Sequence, residues 1–319
     1  MAATANDVVN YAGIDVSKGT LDVHIHPLGQ SFKVTRDSGG LDELVAKLKA
    51  CAGLALTVLE ATGGFETMVA AALAEAGLSV AVVNPKRVHY FAKGLGKNAK
   101  TDAMDAVVIA RFAEAMKPEA RPLKDAETEA FASLIARRRQ IIQMLTAEKN
   151  RSQQATGTPM QKSLARIIAA LESELAGLDG DIDKTVKASP SWSAKEELLA
   201  SVPGVGKVIA RTMLAEMPEL GSLSGKEAAA LAGLAPWTRS SGTWRGKSMI
   251  GGGRASVRTA LYLGALSAAR YNKPLADFGE RLLNTGKTKK AVLIAIARKL
   301  ITILNAILRT NTPWQPKKA

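Results

Sequence analysis

The alternation of short β-rich runs with helical stretches over residues 10–115 is the feature that most constrains the fold. Three β-rich runs come first, separated by short turn segments as in a meander, and helices then alternate with two further strands. The pattern predicts an α/β domain around one central sheet. In chain order, the predicted strands are Tyr11–Val16, Leu21–His26, Phe32–Thr35, Leu54–Leu59 and Leu78–Val83, and the predicted helices are Leu41–Lys49, Phe65–Ala76 and one from Thr101 as N-cap to about Met116.

This order, three strands followed by helix, strand, helix, strand and helix, is that of the ribonuclease H-like fold. In that fold the first and fourth strands are neighbours, and the last helix packs across them. Four carboxylates lie on these elements: Asp15 in the first strand, Glu60 at the end of the fourth, and Asp102 and Asp105 on one face of the last helix. We therefore expect the four side chains to converge.

Four converging carboxylates repel one another unless positive charge compensates them. Two Mg²⁺ ions about 3.5–4 Å apart would do so, and would act on the attacking and leaving oxygens of a phosphodiester. Mn²⁺ is the other ion that we expect at such a site. Taken one at a time, the same carboxylates are also typical of strand ends, helix N-termini and solvated helix faces. Their joint arrangement favours the metal site.

From Glu127 to Lys187 the sequence is helical throughout, and Thr156–Pro159 supplies a turn, so a helical hairpin is predicted. Two interpretations of its apolar stripe stay open: packing within one chain, or an arm for oligomerisation. The stripe follows the four- and three-residue steps of a coiled coil, through Leu164, Ile168, Leu171, Leu175, Leu178 and Ile182.

Residues 194–319 are predicted to form a small helical region. Within it, Leu198–Met217 reads as helix, turn, helix around the sequence VPGVG at 202–206, which is typical of a helix-hairpin-helix. In such a motif the N–H groups at a helix N-terminus face a phosphate, and Lys207 would add positive charge. An ordinary turn between two helices is the alternative interpretation.

The segment Ser240–Gly253 interrupts these helices and is predicted to be flexible and basic. Arg245 and Lys247 lie inside it, and Arg254 and Arg258 follow it one helical turn apart. We predict that these four cations contact nucleic acid. The serine pair at the start of the segment is, by itself, typical of a turn.

The distribution of charge also indicates that this region binds nucleic acid. The formal net charge is +14, yet residues 1–236 hold 27 basic and 27 acidic side chains, whereas residues 237–319 hold 16 basic and 2 acidic ones. Nucleic acid is therefore the first partner to expect for the last quarter of the chain. A single cysteine excludes a disulfide framework and a multi-cysteine metal site.

A cytoplasmic protein is expected. The first ten residues show no pattern of a secretory signal. The most apolar stretch, Ala291 to Leu308, is interrupted by Arg298 and Lys299, so we expect no membrane span.

Several motifs together resemble one family. In order and approximate spacing they are similar to the DEDD-type transposases of bacterial insertion sequences, the IS110 family, which are described as bridge-RNA-guided recombinases. The resemblance covers nearly the whole chain. The matching stretches are GIDVSK at 13–18, EATGG at 60–64, KTDAMDA at 100–106, VPGVG at 202–206, GLAP…SSG at 233–242 and GGGRASVRTALY at 251–262.

The resemblance implies a domain organisation and partners. A RuvC-like catalytic domain is expected over residues 8–118, a coiled-coil arm over 119–190, and a helix-hairpin-helix-containing transposase domain over 191–319. Donor and target DNA would be the substrates, and a structured guide RNA encoded by the element would select them. The family pairs the acidic cluster of one subunit with the serine domain of another, so a homo-oligomer, dimer or tetramer, is implied.

The resemblance also implies residue roles. Asp15, Glu60, Asp102 and Asp105 match the family's Mg²⁺-binding tetrad, and Ser241 matches its nucleophile, which becomes joined to DNA phosphate. Because Ser240 directly precedes Ser241, the match to the nucleophile could also fall on Ser240. Two other functions remain as alternatives: a RuvC-like Holliday-junction nuclease that uses water, and a non-catalytic nucleic-acid-binding protein with structural carboxylates.

Overall fold

The computed structural model describes residues 8–96, 102–120, 125–238, 240–241, 243–246 and 248–315. The chain forms two compact units, Met1–Lys124 and Asp125–Ala319. The three-domain division inferred from sequence, with boundaries after residues 118 and 190, stays a prediction.

The first unit is a mixed α/β structure around a five-stranded sheet. Its elements are β1 (Asn10–Val16), β2 (Thr20–His26), β3 (Gln30–Thr35), α1 (Ser38–Lys49), β4 (Leu54–Glu60), α2 (Phe65–Glu75), β5 (Val80–Val83), α3 (Pro85–Gly94) and α4 (Asp102–Met116). The strand order is β3-β2-β1-β4-β5. Strands β1, β2 and β3 form an antiparallel meander, and β4 lies parallel to both β1 and β5. This architecture is compatible with a RuvC or ribonuclease H-like domain.

Helices cover both faces of this sheet. Ala12, Ile14 and Val16 pack in one apolar cluster with residues of α1 and α2. Tyr11 packs in a second cluster, on the opposite face, with residues of α3 and α4. Because side chains alternate along a strand, the odd-numbered residues of β1, including Asp15, belong to the α4 face.

The sequence-based element order is confirmed, with one correction in the first unit. The structure contains one further helix, α3 (Pro85–Gly94), that is not among the predicted elements. The Asn-Pro pair that ends β5 also starts this helix: the side chain of Asn84 accepts a hydrogen bond from the N–H of Lys86, and Pro85 occupies the first turn. Thr101, predicted as the N-cap of α4, lies outside the described residues.

The predicted helical hairpin opens the second unit, as α5 (Ala126–Gln154) and α6 (Thr158–Ala188). The two helices pack along their apolar stripes, so the stripe serves packing within one chain. Oligomerisation through the hairpin stays a prediction. Buried stripe residues are Phe131, Ile135, Ile141 and Leu145 of α5 and Leu164, Leu178, Ile182 and Val186 of α6.

The rest of the second unit is mainly helical, as predicted, and shares one apolar core with the base of the hairpin. The described parts of Ser240–Gly253 contain three of four short strands, and none of these strands was predicted. The elements are α7 (Pro190–Ala200), α8 (Lys207–Glu216), α9 (Gly225–Leu231), β6 (Pro236–Trp237), β7 (Ser240–Ser241), β8 (Trp244–Arg245), β9 (Met249–Ile250), α10 (Ala255–Tyr271), α11 (Lys273–Asn284) and α12 (Lys289–Thr310).

Among the described residues, one helix, α12, is long and apolar enough to cross a membrane by length and composition. Its side chains Ile296, Leu300, Ile301 and Leu304 are at most 1% exposed and belong to the core of the second unit. Helix α12 is therefore a core helix of this unit.

Candidate functional site

Two of the predicted carboxylates lie near the ends of neighbouring strands, Asp15 one residue before the end of β1 and Glu60 at the end of β4. The parallel pairing of β1 and β4 places Gly13 beside Val58 and Ile14 beside Leu59, so Asp15 and Glu60 are the next residues on each strand. Adjacent strands lie about 4.8 Å apart, and neighbours in register share a face. Val58 packs in the α3–α4 cluster, so Asp15 and Glu60 also belong to that face. Both are half-buried.

Helix α4 crosses the same face in close contact with β1. A Cβ atom on Gly13 would lie 2.2 Å from the backbone nitrogen of Ala110 and 2.4 Å from the carbonyl oxygen of Ala106, so only glycine allows this approach. Glu114, near the helix C-terminus, lies 3.1 Å from His26, which pairs with the start of β1. The N-terminal end of α4 is therefore directed towards the end of β1 that carries Asp15.

These constraints place Asp105 at the same edge of the sheet as Asp15 and Glu60, whereas the convergence of all four carboxylates stays a prediction. Asp105 is half-buried and directly precedes Ala106. The side chain of Asp102, the fourth member, lies outside the described part of the chain. Among the residues that the structure describes, no group of three His, Cys, Asp or Glu side chains is arranged to hold a metal ion. The donor set nevertheless suits Mg²⁺ or Mn²⁺, because carboxylate oxygens are the ligands these ions prefer.

A further carboxylate of this region was missed by the sequence analysis. Asp22 on β2 is the antiparallel partner of Asp15, and an oxygen of its carboxylate lies 3.1 Å from the Nζ of Lys33 on β3. The alternation of β2 was visible in the sequence, but the register that places Asp22 opposite Asp15 depends on the turn between the strands.

Ser241 lies near the tip of a hairpin in the second unit. Strands β6 and β9 form the stem, where Trp237 pairs with Met249. Strands β7 and β8 form the tip, where Ser241 pairs with Trp244 and is exposed. We call residues 233–253 the serine hairpin.

For three of the five predicted nucleic-acid contacts, the described residues leave that role open. Lys207 is exposed at the first position of α8, directly after the predicted VPGVG turn. That turn is tight because Gly204 has a φ of 101°, and a Cβ there would lie 2.6 Å from atoms of Ala268 on α10. Arg245 lies in β8, with its side chain outside the described atoms, and Lys247 lies outside the described residues.

The other two predicted contacts have intramolecular partners. The guanidinium of Arg254 donates to both carboxylate oxygens of Glu219, at 2.6 and 2.7 Å. The guanidinium of Arg258 donates to the carbonyl oxygen of Gly252 at 2.6 Å. Both arginines therefore contribute to the protein's own packing, which the spacing in the sequence did not indicate.

An ion-pair network between α6, α7 and α8 was also missed. The side chain of Arg211 is 9% exposed and donates to Glu196 at 2.6 Å and to Asp183. The hydrogen bond from Arg211, and a second one from Lys187, lower the pKa of Asp183 from 3.8 to about 2. Because these partners are 28 and 15 residues from Arg211, no local sequence pattern could have identified them.

Comparison with known families gives the class of protein. The family described as a transposase of the DEDD IS110 type matches residues 12–156, and the family described as "Transposase IS116/IS110/IS902 family" matches residues 196–280. Transposases of this class cleave and transfer DNA strands, and DEDD-type members normally use divalent metal ions.

The chain belongs to the IS110 transposase family. It is 32% identical over 318 residues to the pilin gene-inverting protein of Moraxella bovis, covering 96% of this chain and 98% of that protein. It is 30% identical over 157 residues to a 43.6 kDa protein of insertion element IS110 from Streptomyces coelicolor, covering 49% and 38% of the two chains. A probable family 20 transposase of Pseudomonas aeruginosa is 25% identical over 263 residues, covering 71% of this chain and 77% of that protein.

Proposed function

We propose that this transposase cleaves and rejoins DNA through a divalent-metal site formed by Asp15, Glu60, Asp102 and Asp105 and a covalent bond from DNA to Ser241. The observation that carries the proposal is the position of Asp15 and Glu60 at the ends of neighbouring strands, under the N-terminal end of α4. An insertion sequence is the expected source of its DNA substrates.

The carboxylates would hold the ion and keep the scissile phosphate in place. Mg²⁺ or Mn²⁺, when bound, would stabilise charge on the attacking and leaving oxygens. Carboxylates on two adjacent strands and a packed helix are held by the fold, so they need little rearrangement to bind it. The half-burial of Asp15, Glu60 and Asp105 leaves a solvent-accessible side for a phosphate.

The Ser241 hydroxyl would attack the DNA phosphorus. A bond between its Oγ and phosphorus forms, the bond from phosphorus to one backbone oxygen breaks, and the serine proton passes to solvent while the released oxygen takes up a proton. Serine is a weak nucleophile, so this step requires the metal site or a base beside it. The phosphoserine conserves the phosphodiester, and the reverse attack by a strand hydroxyl rejoins DNA without ATP.

Partners of the site follow from the same proposal. Donor and target DNA would bind through Lys207, Arg245 and Lys247, and an element-encoded guide RNA would select them in a cytoplasmic homo-oligomer. The basic surplus of residues 237–319 supports a polyanionic partner. The Moraxella bovis relative is called a gene-inverting protein, and inversion requires that strands be cut and rejoined, which supports recombination over simple hydrolysis.

The test combines two variants and one control variant with three measurements: DNA binding, covalent adducts and strand transfer. Ser241→Ala is expected to bind DNA normally and to lose covalent protein–DNA adducts on denaturing gels, with strand transfer reduced at least about 10³-fold. Asp15→Asn is expected to lose both adducts and strand transfer. Ser240→Ala is the matched control and is expected to keep adduct formation.

Other results would contradict the proposal. Adducts that persist in both serine variants would remove the covalent role. Metal-dependent nicking without adducts, unaffected by Ser241→Ala, would favour the junction nuclease that uses water. Unchanged strand transfer in Asp15→Asn would favour structural carboxylates.

A further inference from the structure

We infer that Arg254, Arg258 and Glu219 are positioning residues that close the base of the serine hairpin and so fix where Ser241 points. The inference rests on the proposed role of Ser241 and adds residues outside the tetrad and the nucleophile. The hairpin begins at Gly233 and ends at Gly253, and its tip carries Ser241.

The two ends of the hairpin meet in direct backbone contact. A Cβ atom on Gly253 would lie 2.3 Å from the nitrogen of Gly233 and 2.5 Å from the carbonyl oxygen of Leu231. The N–H of Arg254 donates to that same carbonyl at 2.7 Å. Gly233 and Gly253 both have positive φ angles, 68° and 57°, so glycine is favoured at both positions.

Arg258 bridges these two ends with its side chain. Its Nη1 donates to the carbonyl oxygen of Gly252 at 2.6 Å and lies 3.5 Å from the carbonyl oxygen of Gly233. A Cβ on Gly233 would lie 2.1 Å from that nitrogen, so the missing side chain makes room for the guanidinium. Arg258 therefore joins Gly233 and Gly252, at the two ends of the hairpin, to α10.

Arg254 anchors the same junction to the segment before α9. Both of its terminal nitrogens bind the Glu219 carboxylate, in the two-pronged geometry that gives an arginine–carboxylate pair its directional strength. Nη1 also lies 3.1 Å from the sulfur of Met217. A displacement of about 1 Å at a reacting atom can lower a rate about a hundredfold. Contacts that fix the base of the serine hairpin therefore affect the rate by fixing the position of Ser241 at its tip.

The test uses Glu219→Arg, Arg254→Glu and the double variant that exchanges the two charges. Glu219→Arg keeps the Arg254 cation, so a simple phosphate contact by Arg254 predicts normal or tighter DNA binding and normal strand transfer. A positioning role predicts that strand transfer falls about ten- to a hundredfold at unchanged DNA affinity. The double variant restores the pair and is expected to recover most of the rate.

Hydrogen exchange of residues 232–254 provides a readout that is independent of the chemistry. The rate of amide exchange there is expected to rise at least about fivefold in Glu219→Arg and in Arg258→Ala. In the double variant that swaps the charges of Glu219 and Arg254, the rate is expected to return towards that of wild type. Arg270→Ala, which removes an exposed cation from the other end of α10, is the matched control and is expected to exchange like wild type.

The outcomes separate this inference from the proposed function. If Ser241→Ala keeps its adducts, the nucleophile assignment fails while the exchange data still report on the hairpin base. Normal exchange in the single variants would overturn the inference. A different pattern would also overturn it: Arg254→Glu lowers strand transfer, the charge-swapped double variant does not recover it, and the slope of log K for DNA binding against log salt falls by about 0.9. That pattern marks a phosphate contact.

Discussion

At the scale of single residues, the charged groups of the second unit divide into those that face solvent and those that hold helices together. Lys207 is exposed, whereas Arg211, Arg254 and Arg258 each bind groups of the protein. All four are basic residues in a basic protein, and the sequence alone gave no reason to separate them. The separation depends on acids and carbonyls that lie far away in sequence.

Asp183 carries a pH dependence that can be measured. Its pKa is lowered in the folded protein, so its pairs with Arg211 and Lys187 add stability above pH 3.8 that is lost as the pH falls towards 2. We expect Asp183→Asn to lower stability at neutral pH and to flatten the decline between pH 4 and pH 2. Urea denaturation at a series of pH values is the measurement.

The control for that measurement lies on the exposed side of the same helix. The side chain of Asp181 is 61% exposed, and its carboxylate lies 3.3 Å from the Nζ of Lys184. Among the described residues, Lys184 is its one ion-pair partner. Asp181→Asn is expected to retain the wild-type pH profile. An equal response from the two variants would show that Asp183 has no special role.

At the scale of elements, the packing of α4 on β1 places Asp105 at the edge of the sheet that carries Asp15 and Glu60. The contact depends on Gly13, where any side chain would meet the helix backbone. The sequence predicted the bounds of β1 and α4 closely, because the spacing of apolar residues within each segment is a local pattern. It missed α3 and the four short strands, since two-residue strands have no period to read and an Asn-Pro pair suits both a strand end and a helix start.

Gly13→Ala tests this packing. The added methyl must displace α4 from β1, which we expect to lower stability by about 1–3 kcal/mol and to reduce strand transfer at saturating metal. The measurements are the denaturant midpoint and the strand-transfer rate. Gly19→Ala is the matched control, because a Cβ there meets nothing within 4 Å, and its midpoint should stay the same or rise slightly.

At the scale of the whole molecule, the acidic residues of the proposed site lie in the first unit and the serine lies in the second. The charge divides at a different place, within the second unit: residues 1–236 are balanced, and residues 237–319, which include Ser241, hold the surplus. Family resemblance implies that one subunit supplies the carboxylates and another the serine. That arrangement predicts complementation between inactive variants.

Co-expression of Asp15→Asn and Ser241→Ala chains tests it. In a mixed dimer one site would combine an intact acidic cluster with an intact serine, so random pairing is expected to restore about a quarter of the wild-type strand transfer. Each variant expressed alone is the control and should remain inactive. A mixture with no recovery would place both groups of a working site in one subunit.

The sequence by itself determined the order of elements, the hairpin stripe, the glycine-rich turns and the family, because these depend on local period, local turn chemistry and motif order. The tertiary structure decided which residues meet. It placed Asp22 opposite Asp15, joined Arg211 to two acids, and turned Arg254 and Arg258 towards the base of the serine hairpin. These contacts join residues distant in sequence, and only strand register and helix packing bring such residues within hydrogen-bond range.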